Sequence, residues 1–251
     1  MRLLCWNVQS CRGIDGRVDP ARIAAETRRF GADVACFQEI DSDAILHALP
    51  DYQSAWASGV DVPAARGRFR FGNVILSRVP LGRILRHSLP WPASPDTPSM
   101  PRVAVEAVIG ELRVITTHLE YYSPEHRRAQ IDRLHELHLE ALASRKNVEE
   151  EGPFKSFPRP ASAILCGDFN MKPDDPLHEK IRQVGFVDAW KTLNPGKPHP
   201  LTFRVHEPHK EQPYCCDYVF VTPDLVSRLR AIRVDGATQA SDHQPVLVEL
   251  G

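Results

Sequence analysis

The sequence lacks the cysteine spacing of a metal clamp: its six cysteines, Cys5, Cys11, Cys36, Cys166, Cys215 and Cys216, form no CxxC pair. Three of them sit inside apolar runs, where a reduced cysteine behaves as a small hydrophobe. The pattern speaks against zinc and predicts a reducing compartment. Long hydrophobic runs are also missing, so there is no candidate membrane span or signal-peptide core, and the opening MRLLCWNV reads as a strand. The expected location is therefore cytoplasmic. Nor is there an excess of either charge: 31 Lys and Arg oppose 32 Asp and Glu, for a formal net charge of −1. No global field draws the chain to nucleic acid or to acidic membranes, and any anion-binding surface must be local.

What is present is an ordinary globular composition, 42% hydrophobic over 251 residues, enough for a sizeable core. Short apolar runs recur at Leu3–Val8, Val34–Phe37, Val74–Leu76, Val103–Ile109, Leu112–Thr117, Ala163–Cys166, Tyr218–Val221 and Val246–Leu250, so eight or more strands are expected. Helical spacing appears at Pro20–Phe30, around Ile23, Ala24 and Thr27. It returns from Pro124 to about Ser144, where Ile131, Leu134, Leu137 and Leu142 share a face. Both prolines suit a first helical position. The Pro- and charge-rich stretch Lys146–Pro160 reads as a surface loop. Mixed strands with scattered helices predict an α/β fold of two mixed, mainly antiparallel sheets packed face to face with helices outside, as a single domain over residues 1–251.

The run ending in Leu165 leads into CGDFN, residues 166 to 170. On a strand, Asp168 and Asn170 share a face while Phe169 points away; alone, the segment reads equally well as a turn. Other runs also carry polar residues at an end: Asn7 after Trp6, Glu39 after Gln38, His118 after Thr117, Asp217 before Tyr218, and Asp242-His243 before Pro245. Singly, these are capped turns, solvated edges or satisfied core histidines. Together, at strand ends on one side of a sandwich, they line one cleft. Glu39 and Asp242, helped by Asn7, suit Mg2+, with Mn2+ as a substitute, because hard cations take oxygen ligands and substrate phosphate. Such an ion polarises a phosphoryl oxygen. Asp168 is then free to orient and deprotonate a water, with Asn170 fixing it. His118 and His243 can donate to the nonbridging oxygens, and Asp217 is the acidic partner of His243.

Taken in order, WNV at 6–8, QE at 38–39, GNVILSR at 72–78, THLE at 117–120, GDFN at 167–170, DYVFV at 217–221 and SDHQPV at 241–246 resemble the endonuclease/exonuclease/phosphatase superfamily. The signatures run from the first strand to the last. The resemblance implies a four-layer α/β sandwich and metal-dependent phosphoester hydrolysis. It implies metal binding around Asn7, Glu39 and Asp242, water activation by Asp168 beside Asn170, phosphate stabilisation by His118 and His243, and an Asp217–His243 pair. The stretch RGIDGRVDPARIA at 12–24 is similar to small bacterial members of unassigned substrate. Two positions depart from the pattern. Cys215-Cys216 stand where members often carry a basic and then an aliphatic residue, and Gln9 stands where the small bacterial members often carry His.

Substrate choice should lie in the loops around the cleft. Arg66, Arg68 and Arg70 precede Gly72-Asn73, and Arg102 precedes a strand; Arg66, Arg68, Asn73 and Arg102 are the expected substrate contacts. His199, Arg204, His206, His209 and Lys210 crowd the loop before Asp217, and Trp56, Trp91, Tyr121 and Tyr122 are candidates for ring stacking. The expected activity is Mg2+-dependent hydrolysis of a phosphodiester, with nucleic acid as one possible partner. A lipid headgroup, sugar or inositol phosphate is the alternative. A noncatalytic phosphate-binding module and a zinc or thiol enzyme using Cys215-Cys216 are remoter readings.

Overall fold

Alternation within the first apolar run decides the layering. β1 (Arg2–Asn7) sends Leu3 and Cys5 to one face and Leu4 and Trp6 to the other. The computed structural model describes residues 1–65, 67–93, 96–144, 157 and 159–251. In it, Leu3 and Cys5 join a core shared by two sheets, and Leu4 and Trp6 join a second core beneath helices.

Along the chain follow α1 (Pro20–Phe30), β2 (Val34–Ile40), α2 (Ala44–Ala48), β3 (Gln53–Ala64), β4 (Gly67–Ser77), β5 (Leu81–Ser88), β6 (Val103–Ile109), β7 (Leu112–His118) and α3 (Pro124–Ala143). Then come β8 (Ala163–Asp168), α4 (Pro176–Gln183), β9 (Val187–Asp188), α5 (Ala189–Leu193), β10 (Asp217–Val221), β11 (Leu229–Val234) and β12 (Val246–Leu250). One six-stranded sheet has the order β11-β12-β1-β2-β4-β3, the other β5-β6-β7-β8-β10-β9. The pairs β1/β2 and β7/β8 are parallel and the rest antiparallel. Ile23 and Ala24 of α1 pack on Phe37 and Val74 of the first sheet, while Ile131, Leu134 and Leu137 of α3 pack on Ile115 and Phe220 of the second. The layers are therefore helix, sheet, sheet, helix.

All eight apolar runs are strands, and both expected helices form, from Pro20 to Phe30 and from Pro124 to Ala143. Most of the Lys146–Pro160 stretch lies outside the described residues. Its described end is no solvated loop: Arg159 is 6% exposed and grips Glu106 with two hydrogen bonds of 2.8 and 2.9 Å. Arg113 and His87 complete this buried cluster, at 3.6 and 3.0 Å from the same carboxylate.

Strand direction brings the chemistry to one end of the sandwich. Parallel β1 and β2 carry Asn7 and Glu39 at their C-terminal ends, and parallel β7 and β8 carry His118 and Asp168 at theirs. β10 runs against β8, so its first residue, Asp217, pairs with Asp168. β12 runs against β1, which returns the segment before it, with Asp242 and His243, to Asn7. Gly167 makes the β7/β8 approach possible: its φ is +147°, and a Cβ there would lie 1.9 Å from the Thr117 carbonyl oxygen.

Candidate active site

Asp168 is the hub. Its Oδ1 accepts the Asn170 backbone N–H at 2.9 Å, and its Oδ2 accepts from Asn7 Nδ2 at 3.0 Å. The same oxygen faces the Nε2 atoms of His118 and His243 at 3.5 and 3.7 Å. Asn170 is tied down in turn, donating to the Leu119 carbonyl at 2.9 Å. Burial raises the Asp168 carboxyl to about 6, against the pull of the His243 charge.

The two histidines are not equivalent. Burial opposes a charged His243, but the neighbouring Asp217 and Asp168 outweigh it and hold the ring at about 10. Asp217 Oδ2 sits 2.9 Å from His243 Nδ1, which leaves Nε2 as a donor aimed into the cleft. His118 has no such partner; burial, with Arg102 and His243 nearby, pushes it well below its ordinary 6.5. At neutral pH one ring is a cation and the other is neutral. Asp217 is itself positioned by Thr202, whose Oγ1 accepts its backbone N–H at 3.2 Å, and Trp6 Nε1 donates to the His243 carbonyl at 2.9 Å.

Glu39 and Asp242 form the oxygen-rich side. Asn7 Nδ2 also donates to Glu39 Oε1 at 3.0 Å, while its Oδ1 accepts the Gln9 N–H at 3.1 Å. Asn7 thus spans Glu39 and Asp168 and orients both. Gln9 Nε2 donates to Asp242 Oδ2 at 2.9 Å, and Ser241 Oγ donates to the Asn7 carbonyl at 2.8 Å. Burial raises the Glu39 carboxyl, and Asp242 adds to the effect. Two neighbouring carboxylates held by amide groups offer the oxygen ligands that a hard divalent cation takes.

Backbone strain marks the same place. Gln9, Ser10, Cys11, Glu39, Asn170 and Arg204 are the non-glycine residues at positive φ among the described residues. Glu39 sits at a register shift between β2 and β4, at φ 60°, which turns its carboxylate out of the strand's alternation. Arg204 reaches Glu207, with an N–O distance of 2.5 Å, and Asp242 at 3.4 Å.

Of the expected substrate contacts, Asn73 and Arg102 line a small cleft with His118 and Phe71. Asn73 donates to the Val103 carbonyl and leaves its Oδ1 buried without a partner. Arg102 leans on Glu120 at 3.6 Å, with Nε and Nη1 buried and unbonded. Arg68 is not brought to the centre: it is spent on Asp61 at 2.6 Å, out on the β3–β4 hairpin. Arg66 lies outside the described residues. Sequence reasoning missed Thr202, Ser241 and Glu120 as supports, and it registered Gln9 only as a departure from a pattern.

Cys215 and Cys216 are buried, and burial pushes both thiols up, so neither is a ready nucleophile. His178 and His199 both reach Asp188 Oδ2, at 2.9 and 2.8 Å, in a satisfied core network apart from the cleft. Among the described residues no helix is long and apolar enough to cross a membrane.

Comparison with solved structures places this architecture in company. A protein of Bacteroides vulgatus described as an endonuclease/exonuclease/phosphatase is 18% identical, with 100% of this chain and 98% of that chain covered, at a TM-score of 0.73. A mannosyl-6-phosphatase of Bacteroides thetaiotaomicron is 19% identical, covering 100% and 99%, at 0.72. A 3′ phosphatase of Neisseria, solved with a product DNA hairpin, is 20% identical, covering 100% and 99%, at 0.70. At these identities the likeness is one of fold. A search of curated proteins finds no match. The family model for the Endonuclease/Exonuclease/phosphatase family, however, matches residues 4–243, nearly the whole span that carries the cleft, and the chain belongs to that family of metal-dependent phosphoester hydrolases.

Proposed function

We propose that this protein hydrolyses a phosphodiester in a Mg2+-dependent reaction of the nuclease kind, acting in the cytoplasm as one catalytic unit over residues 1–251. The observation that carries the reading is the position of Asp168 Oδ2, between the Asn7 amide and two imidazole edges, one cationic and one neutral. Asp168 takes a proton from the attacking water, and Asn170 fixes the direction of its other oxygen. His243, held as a cation by Asp217, donates from Nε2 to a phosphoryl oxygen as negative charge grows there. Neutral His118 and the unpaired Arg102 donors face the same oxygens from the Asn73 side. Glu39 and Asp242, oriented by Asn7 and Gln9, would hold the Mg2+, with Mn2+ as a substitute. Bound there, the ion supplies charge neutralisation and Lewis acidity at the phosphoryl group. The six buried free cysteines suit a reducing compartment.

A sugar phosphate is the second reading. It is favoured by a cleft of about 540 Å³ beside Asn170, in which Tyr121, Tyr122 and Tyr214 meet Asp174, Asp175 and Glu211. Aromatic faces and carboxylates suit a ring bearing hydroxyl groups.

Turnover of bis(4-nitrophenyl) phosphate and of 4-nitrophenyl phosphate, each in EDTA and in Mg2+, separates the readings. Diester hydrolysis that appears with Mg2+ is expected. Faster monoester hydrolysis selects the sugar phosphate, and no turnover of either overturns both. Glu39→Gln should raise the Mg2+ concentration for half-maximal rate about tenfold or more, since second-sphere losses alone reach that size.

A further inference from the structure

The β3–β4 hairpin reverses what its arginines suggest. Bulged at Gly59, the two strands restart in register as Val60↔Phe71, Asp61↔Arg70, Val62↔Phe69 and Pro63↔Arg68. Directly opposed residues share a face, so Val60, Val62, Phe69 and Phe71 lie together on one side and Asp61, Arg68 and Arg70 on the other. The polar side closes on itself: Asp61 meets Arg68 at 2.6 Å and Arg70 at 3.6 Å, and Arg70 borders a separate cleft with Trp56 and Arg86. The apolar side turns to the catalytic centre. Phe71 lies 6.5 Å from the His118 ring, centroid to centroid, and Phe69 stacks beyond it at 6.2 Å with only 20° between the planes. Val62 and Phe69 remain 45% and 43% exposed.

A phosphodiester needs room for an organic group on each side of phosphorus. The tyrosine-lined cleft by Asn170 lies on one side of Asp168, and the phenylalanine face lies beyond His118. The hairpin's own arginines offer little to extra phosphates, because Arg68 and Arg70 are taken up by Asp61. Exposed rings suit stacking on an unpaired base, and the lack of a cationic stripe on this hairpin disfavours a duplex.

Building on the phosphodiester reading, we infer that Phe69 and Phe71 form a stacking platform for an unpaired base of a single-stranded nucleic acid substrate, and that this platform sets a preference for single strands over duplexes. The platform acts through the planar group attached to phosphorus and leaves proton transfer to Asp168. Phe69, at its outer end, governs affinity more than turnover.

Binding in EDTA tests this apart from catalysis. A short oligothymidylate is titrated into the parent protein, Phe69→Ala, Phe69→Leu and Phe69→Trp, alongside an abasic strand of equal length, a duplex and phosphatidylcholine vesicles. Phe69→Ala and Phe69→Leu should bind the oligothymidylate about tenfold more weakly than the parent, and the abasic strand no differently from it. Phe69→Trp should show fluorescence quenching by the single strand in excess of that from the parent's four tryptophans. Equal binding by the parent and Phe69→Ala, equal preference for the duplex, or a vesicle-induced blue shift in Phe69→Trp overturns the inference. Absence of Mg2+-dependent diester turnover would instead count against the catalytic reading, whatever the binding shows.

Discussion

Replacing Asp168 with asparagine is expected to lower kcat about 1,000-fold or more while leaving KM within a few-fold, because a positioned base contributes roughly 100- to 10,000-fold. The substitution keeps the side chain's shape and an oxygen for the Asn170 N–H, but it removes the capacity to take a proton and sets an amide NH2 against the Asn7 Nδ2 and His243 Nε2 donors. Its effect on stability has two opposed parts. Burial holds the folded carboxyl at about 6, above its ordinary 3.8, so at neutral pH the ionised group costs folding free energy rather than adding to it. Relief of that cost opposes the loss of the acceptor facing Asn7 and His243, so the variant should melt close to the parent. Diester turnover within tenfold of the parent, measured with saturating Mg2+, would show that some other group activates the water.

The largest stability effect is expected at Glu106, which takes no part in the cleft. Its carboxylate is 1% exposed and carries Arg159, Arg113 and His87 around it. Burial alone would raise it, yet the hydrogen bonds from Arg159 and His87 and the charge of Arg113 prevail and hold it at about 2, below its ordinary 4.5. A depressed folded value means stability that is fully present above the unfolded value and lost as pH falls from there toward 2. The difference corresponds to about 3 kcal/mol. Glu106→Gln leaves Arg159 and Arg113 buried without a counterion and should cost about 3–5 kcal/mol at neutral pH. Urea midpoints at neutral and acid pH check both halves: the parent should lose stability across that window, and the variant should lack this share of the loss. A neutral-pH change below about 1 kcal/mol would mean that the cluster is no stronger than a surface pair.

The strands that escaped sequence reading were β3, β5, β9 and β11, and these are the outer strands of the two sheets. An inner strand is covered on both faces and reads as a continuous apolar run, as in β6 with VAVEAVI. An edge strand shows one flank to water and carries residues such as Arg83 and Arg86 or Arg230 and Arg233, which break the run. The cleft was legible for a related reason. Its acids and histidines sit where inner strands stop, so each followed or preceded a strong signal. The supports were not: Thr202 and Ser241 act through single hydroxyl groups, and short polar residues in loops carry no periodicity. Arg68 misled because spacing in a sequence says nothing of which face of a hairpin a side chain takes. Asp61, in register with Arg70, captured both arginines on the far side.

β1 and β12 are neighbours, pairing Arg2 with Glu249, and they bring Asn7 beside Asp242 and His243. During synthesis the first of these leaves the ribosome more than ten seconds before the last, at roughly 5–20 residues per second. A growing chain therefore carries an incomplete centre, however well its helices and inner strands have formed. The pairing is also among the most distant in sequence that this fold permits, and such contacts form slowly. The candidate cleft is thus incomplete until synthesis has passed His243 and β12 has docked.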